Sequence, residues 1–291
     1  MEKKAILEKL FSGERQLPTL PIIFDKLNQM LQDPHTSNKK IADLMMKDQA
    51  MVIKVLKLCN SAMYSKRKEI TNLANAITFL GVKNLKTLIL QISLVKVFDL
   101  KDKEIPEFNI TTFWEHSLGT AYFTTIILKK LNLEVNDNYY VAGLLHDIGK
   151  LVIYQFYPDK FKEIIKKEIK DNLIDYQAEE EVLGVNHNEI GGYLAEKWKF
   201  TPEIIDAIKE HHNTSAPHDL LVSVVQVSNL FSKASGLCFP WDNKFFEIIG
   251  DPNWEVIAAH AGHLDTDALV SEIMNEAQNV RDSVKELLSG K

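Results

Sequence analysis

Apolar residues recur at intervals of three and four along most of the chain, and this spacing is the strongest constraint on its fold. Such spacing places the apolar side chains on one face of a helix. No run alternates polar and apolar residues for long enough to predict a sheet. Glycines are few, at 12 in 291 residues, as expected for helices with short connections. The sequence therefore predicts an all-α protein. The first helical run consists of Leu20, Ile23, Phe24, Leu27, Met30 and Leu31.

The same periodicity predicts where later helices lie and where the chain divides. Ser37 is the expected N-cap of a helix that contains Ile41 and Leu44. Residues 99–109 are charged, contain a proline and lack helical spacing, which predicts a lobe boundary. We expect an N-terminal helical lobe over 1–105, a second lobe over 106–240 and a helical extension over 241–291 that packs on the body. Helices are predicted at 112–131, 138–155, 159–170, 187–198, 202–212 and 218–235, and as one amphipathic helix from Asp265 onward.

Composition and charge restrict the classes of partner. The hydrophobic fraction of 45% and the charged fraction of 25% are those of a globular protein. The net charge of -6 disfavours nucleic acid as a partner, because such binding depends on Lys and Arg neutralising phosphates. Lys66-Arg67-Lys68 supplies local positive charge, but no aromatic platform accompanies it.

Cysteine usage and the lack of long apolar runs predict the compartment. Cys59 and Cys238 form no CxxC pair, so we expect buried free thiols in a reducing environment. No run approaches the roughly 18 apolar residues of a membrane span, and the chain starts with the charged Met1-Glu2-Lys3-Lys4. These features predict a cytoplasmic protein without a membrane partner.

Histidines are concentrated in the second half of the chain and predict a metal site. Five of them are separated by about 30, 40 and 24 residues, which places most on different helices. Facing helices of a bundle can each project one ligand inward to a metal. Imidazole and carboxylate ligands suit several divalent metals and do not choose among Fe, Mn, Ni, Zn or Mg, nor between one and two ions. The five are His116, His146, His187, His211 and His212.

His146 and Asp147 pose a geometric problem, because neighbours on a helix point about 100° apart. Both can reach one site if a helix end or a distortion brings them together, or if two metals lie between them. Gly149 is a candidate for such a break. The alternative for His116, His146 and Asp147 is a buried hydrogen-bonded cluster without metal. Only one of His211 and His212 is expected to face the site.

Several other residues have an ordinary structural interpretation beside a functional one. Lys150 can bind a phosphate oxygen, but a solvated or helix-terminal lysine is the simpler interpretation. Gly191-Gly192 predicts close helix packing. The run Glu179-Glu180-Glu181 is expected to form a solvated face. His260 and His263 are three residues apart, which suits either a ligand pair or an exposed helix face, and the exposed face is favoured.

Taken together, these motifs resemble a known family. The sequence "HDIGK" at 146–150, with the four other histidines, is similar to the HD superfamily of metal-dependent phosphohydrolases. The first half of the chain resembles the N-terminal lobe of HD-related output domain (HDOD) proteins. The resemblance runs from about Leu17 to Ser235. Its first-half motifs are Leu17-Pro18, Leu20-Pro21, Asp33-Pro34, Asn60-Ser61-Ala62, Ala76-Ile77 and Leu80-Gly81.

The resemblance implies a fold of the HD-domain/phosphodiesterase type, with an N-terminal helical lobe and a C-terminal HD-like lobe. It implies a bacterial regulatory module that acts in signal transduction through signalling protein partners. Many HDOD proteins are thought to have lost catalysis. The alternative that it implies is a metal-dependent phosphohydrolase acting on a nucleotide or another phosphoester, with Asp147 and Lys150 as catalytic residues. The metal ligands carried over are His116, His146, Asp147, His187, His211, His212 and Asn229.

Asn229 is where this sequence departs from catalytic HD proteins. They carry a final aspartate there, whereas asparagine is neutral and binds metals more weakly. Asn229 is therefore either a weak ligand or a residue that orients a ligand, and a helix-capping or core-edge amide is an equal alternative. The loss of charge reduces compensation of one or two dications and favours a non-catalytic module. The residues after His212, "NTSAPHD", also lack the Gly-Tyr-Pro signature of the branch that cleaves cyclic di-GMP. We therefore do not expect cyclic di-GMP hydrolysis.

Overall fold

The computed structural model describes residues 3–11, 22–33, 36–60, 70–98, 105–106, 108–213, 219–242, 247–262 and 265–289. These residues form α-helices and one 3₁₀ turn, with no strand among them, so the predicted all-α class is confirmed. In chain order the elements are α1 (Lys3–Leu10), α2 (Ile22–Gln32), α3 (Asn38–Met45), α4 (Gln49–Cys59), α5 (Leu73–Val97), α6 (Ile110–Lys130), α7 (Asp137–Leu145), α8 (Ile148–Phe156), α9 (Pro158–Asp171), α10 (Asp175–Leu183), α11 (His187–Lys197), α12 (Pro202–Glu210), α13 (Leu220–Ala234), the 3₁₀ turn Pro240–Asp242, α14 (Pro252–His260), α15 (Thr266–Met274) and α16 (Ala277–Ser289).

The chain forms two units. The larger unit consists of Met1–Leu17 and Leu100–Ala277, and the smaller unit of Pro18–Asp99 and Gln278–Lys291. The change of unit between Asp99 and Leu100 falls at the edge of the charged stretch that predicted a lobe boundary. The grouping differs from the predicted segments, because the start of the chain joins the larger unit and its end joins the smaller one. The division into segments 1–105, 106–240 and 241–291 stays a prediction.

In the smaller unit, α2, α3 and α4 all pack against α5. Ser37 is the N-cap of α3, as predicted, and its Oγ accepts a hydrogen bond from the Lys40 N–H. α5 bends sharply at Gly81, whose φ of 72° lies in the left-handed region that favours glycine. The Asn60 side chain holds two parts of the chain together, since it donates to the carbonyls of Leu56 and Ile70 and accepts from the Ile70 N–H.

In the larger unit, α6 packs against α7 and α13, while α11 packs against α8 and α12. Asn109 caps α6 by accepting from the N–H groups of Thr111 and Thr112. A capping box of Asn186 and Glu189 starts α11 at His187. These packed helices carry the histidines or lead directly to them, so the fold of this unit brings the predicted ligands together.

Two predicted helices are each divided in the structure. The helix predicted over 138–155 is α7 followed by α8, with the break at His146 and Asp147. The helix predicted from Asp265 onward is α15 followed by α16, with Asn275 and Glu276 between them. Periodicity did not reveal either break, because the apolar spacing continues through both. The predicted stripe is nevertheless buried, at Leu269, Ile273, Val280, Val284 and Leu287.

The two cysteines form no disulfide bond with each other. Cys59 and Cys238 are free, as predicted; Cys59 is buried and Cys238 is half-buried. Among the described helices, none alone is long and apolar enough to cross a membrane; the pair Leu73–Val82 and Asn84–Val95 meets the length and composition together, with a bend of 107°. The motifs at 17–21, 34 and 61–62, the basic run 66–68 and His263 lie outside the described residues.

Candidate metal centre

The break between α7 and α8 brings His146 and Asp147 to one site. α7 ends at Leu145 and α8 begins at Ile148, and Asp147 has φ -98° and ψ 7°. Two consecutive side chains converge here because a helix ends between α7 and α8. A helix end was one of the arrangements that the sequence analysis allowed for His146 and Asp147. Gly149 is not the break, which corrects that prediction. It lies inside α8, where a Cβ would be 2.0 Å from the His187 carbonyl oxygen, so glycine permits α8 and α11 to approach closely.

Asp147 lies between two pairs of histidines. Its Oδ2 is 3.7 Å from His116 Nε2 and 3.5 Å from His146 Nε2. Its Oδ1 is 3.2 Å from His187 Nε2 and 3.6 Å from His211 Nε2. Within the pairs, the Nε2 atoms are 3.2 Å apart for His116 and His146, and 3.4 Å apart for His187 and His211. One carboxylate thus faces two imidazole pairs.

The protein fixes the tautomer of these rings through their Nδ1 atoms. His116, His146 and His211 place Nδ1 within 2.8 Å of the backbone carbonyls of Leu237, Gly143 and Ile208. A carbonyl only accepts, so each Nδ1 carries the proton and, in the neutral ring, Nε2 presents a lone pair. His187 Nδ1 lies 2.6 Å from Glu179 Oε2 and is held in the same way. The Nε2 atoms of His116, His146 and His211 are therefore acceptors. Burial acts to lower the pKa of His187, but the charge of Glu179 raises it to about 10, so this ring is protonated in the structure without a metal.

Burial keeps several of these ligands in the state that a metal needs. It lowers the pKa of His116 to about 4 and the pKa of His146 well below its ordinary value, so both rings are neutral near pH 7. Burial acts to raise the pKa of Asp147, but the charge of Lys150 holds that pKa well below its ordinary range. Neutral imidazoles around an ionised carboxylate form a cation-binding set.

The donor set fits a divalent cation. The described residues contain two groups whose ligand atoms lie within 4.8 Å of one another, and Asp147 belongs to both: His116, His146 and Asp147, and Asp147, His187, His211 and His212. Facing lone pairs 3.2 Å apart repel unless a positive charge lies between them, and the buried Asp147 Oδ1 receives no hydrogen bond in the described part of the chain. Carbonyl and carboxylate partners on the other ring nitrogen are typical of histidines that bind metals.

Lys150 is buried beside the cluster. Its Nζ lies 2.8 Å from Asp147 Oδ2 and 2.6 Å from Asp175 Oδ2, and the residue is only 7% exposed. The interpretation as a solvated lysine is therefore wrong. Burial acts to lower the pKa of Lys150, but the two aspartates raise it well above its ordinary value, so it stays charged. Lys150 contributes a fixed positive charge next to the Asp147 carboxylate.

His211 and His212 differ in what they face. His211 is fully buried and directs Nε2 to Asp147, whereas His212 has a side chain that is 15% exposed and an Nε2 that lies 3.7 Å from Asp175 Oδ1. Their rings pack together, with centroids 4.2 Å apart. His211 thus faces Asp147, while His212 faces Asp175 and borders the second ligand group.

Asn229 lies on α13 and is 3% exposed. Its Oδ1 is buried and has no hydrogen-bond partner among the described residues. α13 packs against α6 and α7, the two helices that lead to His116 and His146. An unpartnered amide oxygen in that position is available to a cation.

Sequence reasoning missed two carboxylates that support the centre. Glu179 is 1% exposed, so the expected solvated face is wrong for this residue, whereas Glu180 and Glu181 are exposed as predicted. Its Oε2 also accepts a hydrogen bond of 2.6 Å from the His187 backbone N–H. Asp175 lies one turn earlier on α10 and binds Lys150. The signal available in the sequence was two acids spaced i, i+4 just upstream of a predicted ligand.

The inner ligands of the cluster are buried, whereas the His212 side chain at its border is 15% exposed. Six ligand residues are between 0% and 3% exposed: His116, His146, Asp147, His187, His211 and Asn229. Structural metal sites are closed, whereas catalytic sites keep an open position. Gly191 and Gly192 pack closely here as predicted, because Cβ atoms on them would lie 3.0 Å from Ile208 and 2.4 Å from Lys209 side-chain atoms.

Comparison with known proteins places this centre in a family. The HDOD domain family model matches residues 17–214. The chain belongs to the HDOD domain family. A crystal structure of an HDOD domain protein of unknown function from Geobacter sulfurreducens matches with a TM-score of 0.84 and 29% identity, covering 97% of each chain. Asn229 lies beyond the residues that the HDOD family model matches.

Two further matches are less similar. A crystal structure described as a signal transduction protein, from Marinobacter aquaeolei, has a TM-score of 0.73 at 17% identity and covers 98% of this chain and 64% of its own. Ribonuclease Y from Geobacter sulfurreducens is 31% identical over 121 residues, which is 42% of this chain and 18% of the enzyme. The HDOD chain spans less than half the length of the curated relatives that it matches.

Proposed function

We propose that this HDOD chain is a bacterial, cytoplasmic regulatory module of signal transduction whose metal centre is structural or senses a ligand without turning it over. The burial of the inner ligands is the observation that carries the proposal, since no ligand side chain among the six most buried is more than 3% exposed. A metal held there links α6, the α7–α8 break, α11 and α12 within the larger unit. Signalling protein partners would then respond to whether the centre is occupied.

We propose the residues that would hold the metal from the distances between their ligand atoms and, for Asn229, from its buried, unpartnered oxygen. His116, His146 and Asp147 Oδ2 form one set of donors, with Asn229 Oδ1 as a further neutral donor. Asp147 Oδ1, His187 and His211 form a second set. A divalent cation supplies positive charge and fixed coordination geometry at these atoms. Asparagine at 229 contributes no charge, so a second dication is less well compensated than it would be beside an aspartate.

The test is the metal content of protein purified without chelator. We expect stoichiometric metal in the wild type and none in the His146→Ala/Asp147→Ala variant. His260→Ala is the matched control, because His260 is exposed and its Nδ1 contacts only the Val256 carbonyl of its own helix. It should keep the wild-type metal content. A wild type that stays metal-free after reconstitution with Fe, Mn, Ni, Zn and Mg contradicts the proposal.

Turnover distinguishes the module from an enzyme. The metal-loaded wild type should leave nucleotides, RNA and simple phosphoesters intact. Turnover that disappears in the His146→Ala/Asp147→Ala variant but not in His260→Ala would contradict the regulatory module and favour an enzyme instead.

The second candidate is a metal-dependent phosphohydrolase acting on a nucleotide or another phosphoester. Two observations favour it. Unprotonated Nε2 atoms of His116, His146 and His211 surround an ionised Asp147 next to the charged Lys150. The chain is also similar to Ribonuclease Y over 121 residues. In such an enzyme Lys150 stabilises charge on the phosphate and Asp147 orients the reacting groups. Asn229→Asp sharpens the choice, because it adds a carboxylate and should raise metal affinity by about tenfold. Activity gained only in that variant means that position 229 had suppressed catalysis.

A further inference from the structure

A pocket that is partly open to solvent lies beside the metal centre in the larger unit. The space between its lining atoms is about 340 Å³, a volume that includes open solvent. None of the proposed metal ligands lines it. Its wall on that side includes Lys150, Asp175 and Glu179, which contact ligand side chains on their other side. The pocket is therefore a separate site, and a ligand bound there does not depend on the proposed function.

Aromatic rings form one part of the pocket wall. The Phe108 ring lies 5.2 Å from Phe239 and 4.9 Å from Phe161, between ring centroids. Phe239 is stacked on Trp241 at 5.0 Å, with 15° between the ring planes. Packed rings of this kind make a rigid apolar wall whose faces carry partial negative charge.

Carboxylates form the rest of the polar wall, at Glu168, Asp175, Glu179 and Asp242. Three of them are held by a basic group at 2.6 Å, namely Lys150, His187 and Lys233, which pair with Asp175, Glu179 and Asp242 respectively. Lys150, the basic residue in the lining, is also bound by Asp147 and thus has two carboxylate partners already. The pocket offers an anion no free positive charge from its described lining.

Glu168 is the exception among the four carboxylates. It is half-buried on α9 and forms no ion pair or hydrogen bond with any residue that the structure describes. Burial, together with the negative charges of Asp175, Glu179 and Asp242, raises the pKa of Glu168 to about 8. A carboxylate in these surroundings gains from any cation that reaches it.

We propose that this pocket binds an organic cation, a primary ammonium or guanidinium group, whose charge meets the Glu168 carboxylate while its apolar part lies on the Trp241 and Phe239 rings. Cations are attracted to aromatic faces, and a charge-assisted hydrogen bond to a carboxylate is among the strong ones. Phosphate and other anions are disfavoured, because the basic groups at the pocket already have carboxylate partners. A neutral apolar ligand leaves Glu168 without a partner, so it is disfavoured as well.

The experiment uses the full-length, metal-loaded protein with 5-fluorotryptophan and reads the ¹⁹F signal of Trp241, assigned through Trp241→Phe. Agmatine, which carries both an ammonium and a guanidinium group, should shift this signal in a saturable manner. The neutral analogue 1,4-butanediol should not. Agmatine should also bind more tightly as the pH rises from about 6.5 to 8.5, because Glu168 loses its proton in this range.

Matched variants assign the effect to the pocket. Glu168→Gln should weaken agmatine binding by about tenfold or more, since it removes the charge and keeps the shape. Glu163→Gln is the control on the same helix, because Glu163 is exposed and pairs only with Lys160; it should leave binding unchanged. Trp241→Leu removes one π face and should weaken binding severalfold, which is read by calorimetry.

A second ligand distinguishes a free small cation from a basic side chain of a partner protein. A Nα-acetyl-arginine amide presents the guanidinium as a protein side chain does. Binding of agmatine alone identifies a free small cation, and binding of the arginine derivative alone identifies a basic side chain of a partner. No shift with either ligand at about 10 mM, an equal loss in Glu163→Gln and Glu168→Gln, or an equal response to Mg²⁺ overturns the proposal. Metal content measured on the same samples tells this failure apart from failure of the proposed metal centre.

Discussion

The two units bury different kinds of side chain. The core of the larger unit contains charged and ionisable residues, among them His146, Asp147, Lys150, Asp175 and Glu179. In the described part of the smaller unit, the buried polar residues are Thr87, Gln91, Ser93 and Ser283, and none carries a charge. The described core of the smaller unit is thus built without buried charges, as expected for a scaffold. The larger unit keeps a charged interior that packing does not require.

Charge burial in the larger unit is tolerated because each charge has an opposite partner. Lys150 pairs with Asp147 and Asp175, and His187 pairs with Glu179. Apolar replacement of such pairs is often neutral or stabilising, whereas removal of one partner is strongly destabilising. Their presence therefore indicates a role beyond stability, and four predictions test that contrast.

The largest effect is expected from breaking the buried charge network. Lys150→Ala leaves Asp147 and Asp175 buried without their cation and should lower the free energy of unfolding by about 3–5 kcal/mol. Lys160→Ala, which removes an exposed pair with Glu163, should cost under about 1 kcal/mol. Chemical denaturation of both variants measures this. Equal costs would mean that the two kinds of pair do not differ.

In the smaller unit the largest effect should come from a cavity. Ile89 is 0% exposed on α5, and Ile89→Ala should cost about 2–4 kcal/mol through lost burial and an unfilled space. Ile53→Ala is the control, since Ile53 is 53% exposed. The metal content of folded Ile89→Ala protein should equal that of the wild type. Loss of metal in this variant would show that the two units are not separable in function.

The raised pKa of Glu168 predicts that the stability of the larger unit depends on pH. The folded protein holds the proton of Glu168 up to a pKa of about 8, whereas the ordinary value is 4.5, so stability falls as the pH rises between these values. Glu168→Gln removes that loss and should be more stable than the wild type by about 1–2 kcal/mol at pH 8.5, after allowance for partial exposure.

The two proteins should converge below about pH 3.5, where Glu168 is protonated in both the folded and the unfolded state. Thermal unfolding across this range gives the comparison. A stability difference that does not change with pH would mean that ionisation of Glu168 is not its cause.

The smallest effect concerns a local feature of the smaller unit. Ser37→Ala removes the side-chain acceptor for the Lys40 N–H at the start of α3 and should cost about 1 kcal/mol. Ser37→Asp keeps an acceptor and should stay within a few tenths of the wild type. Denaturant midpoints measured on both variants decide this. A loss equal in both would rule out capping as the cause.

Local signals predicted much of the fold and the candidate ligands. The N-cap at Ser37, the helical class and the set of histidines follow from periodicity and residue type, which act over a few residues. The breaks at His146-Asp147 and at Asn275-Glu276 did not follow, because the apolar spacing continues across them. Asp175 and Glu179 were missed since a surface helix and a buried one can show the same acids. Tertiary packing, not local sequence, decides which acid is buried.

By itself, the sequence determined the helical class, the family resemblance and the residue types that meet at the centre, because helix periodicity and ligand chemistry are properties of the residues themselves. Only the tertiary structure decided that Asp147 faces two histidine pairs, that Lys150 is buried between two aspartates and that the inner ligands of the cluster are buried. Distances and burial depend on how helices far apart in the chain pack together. The pairing of His187 with Glu179, like the unpartnered Glu168, exists only after that packing is complete.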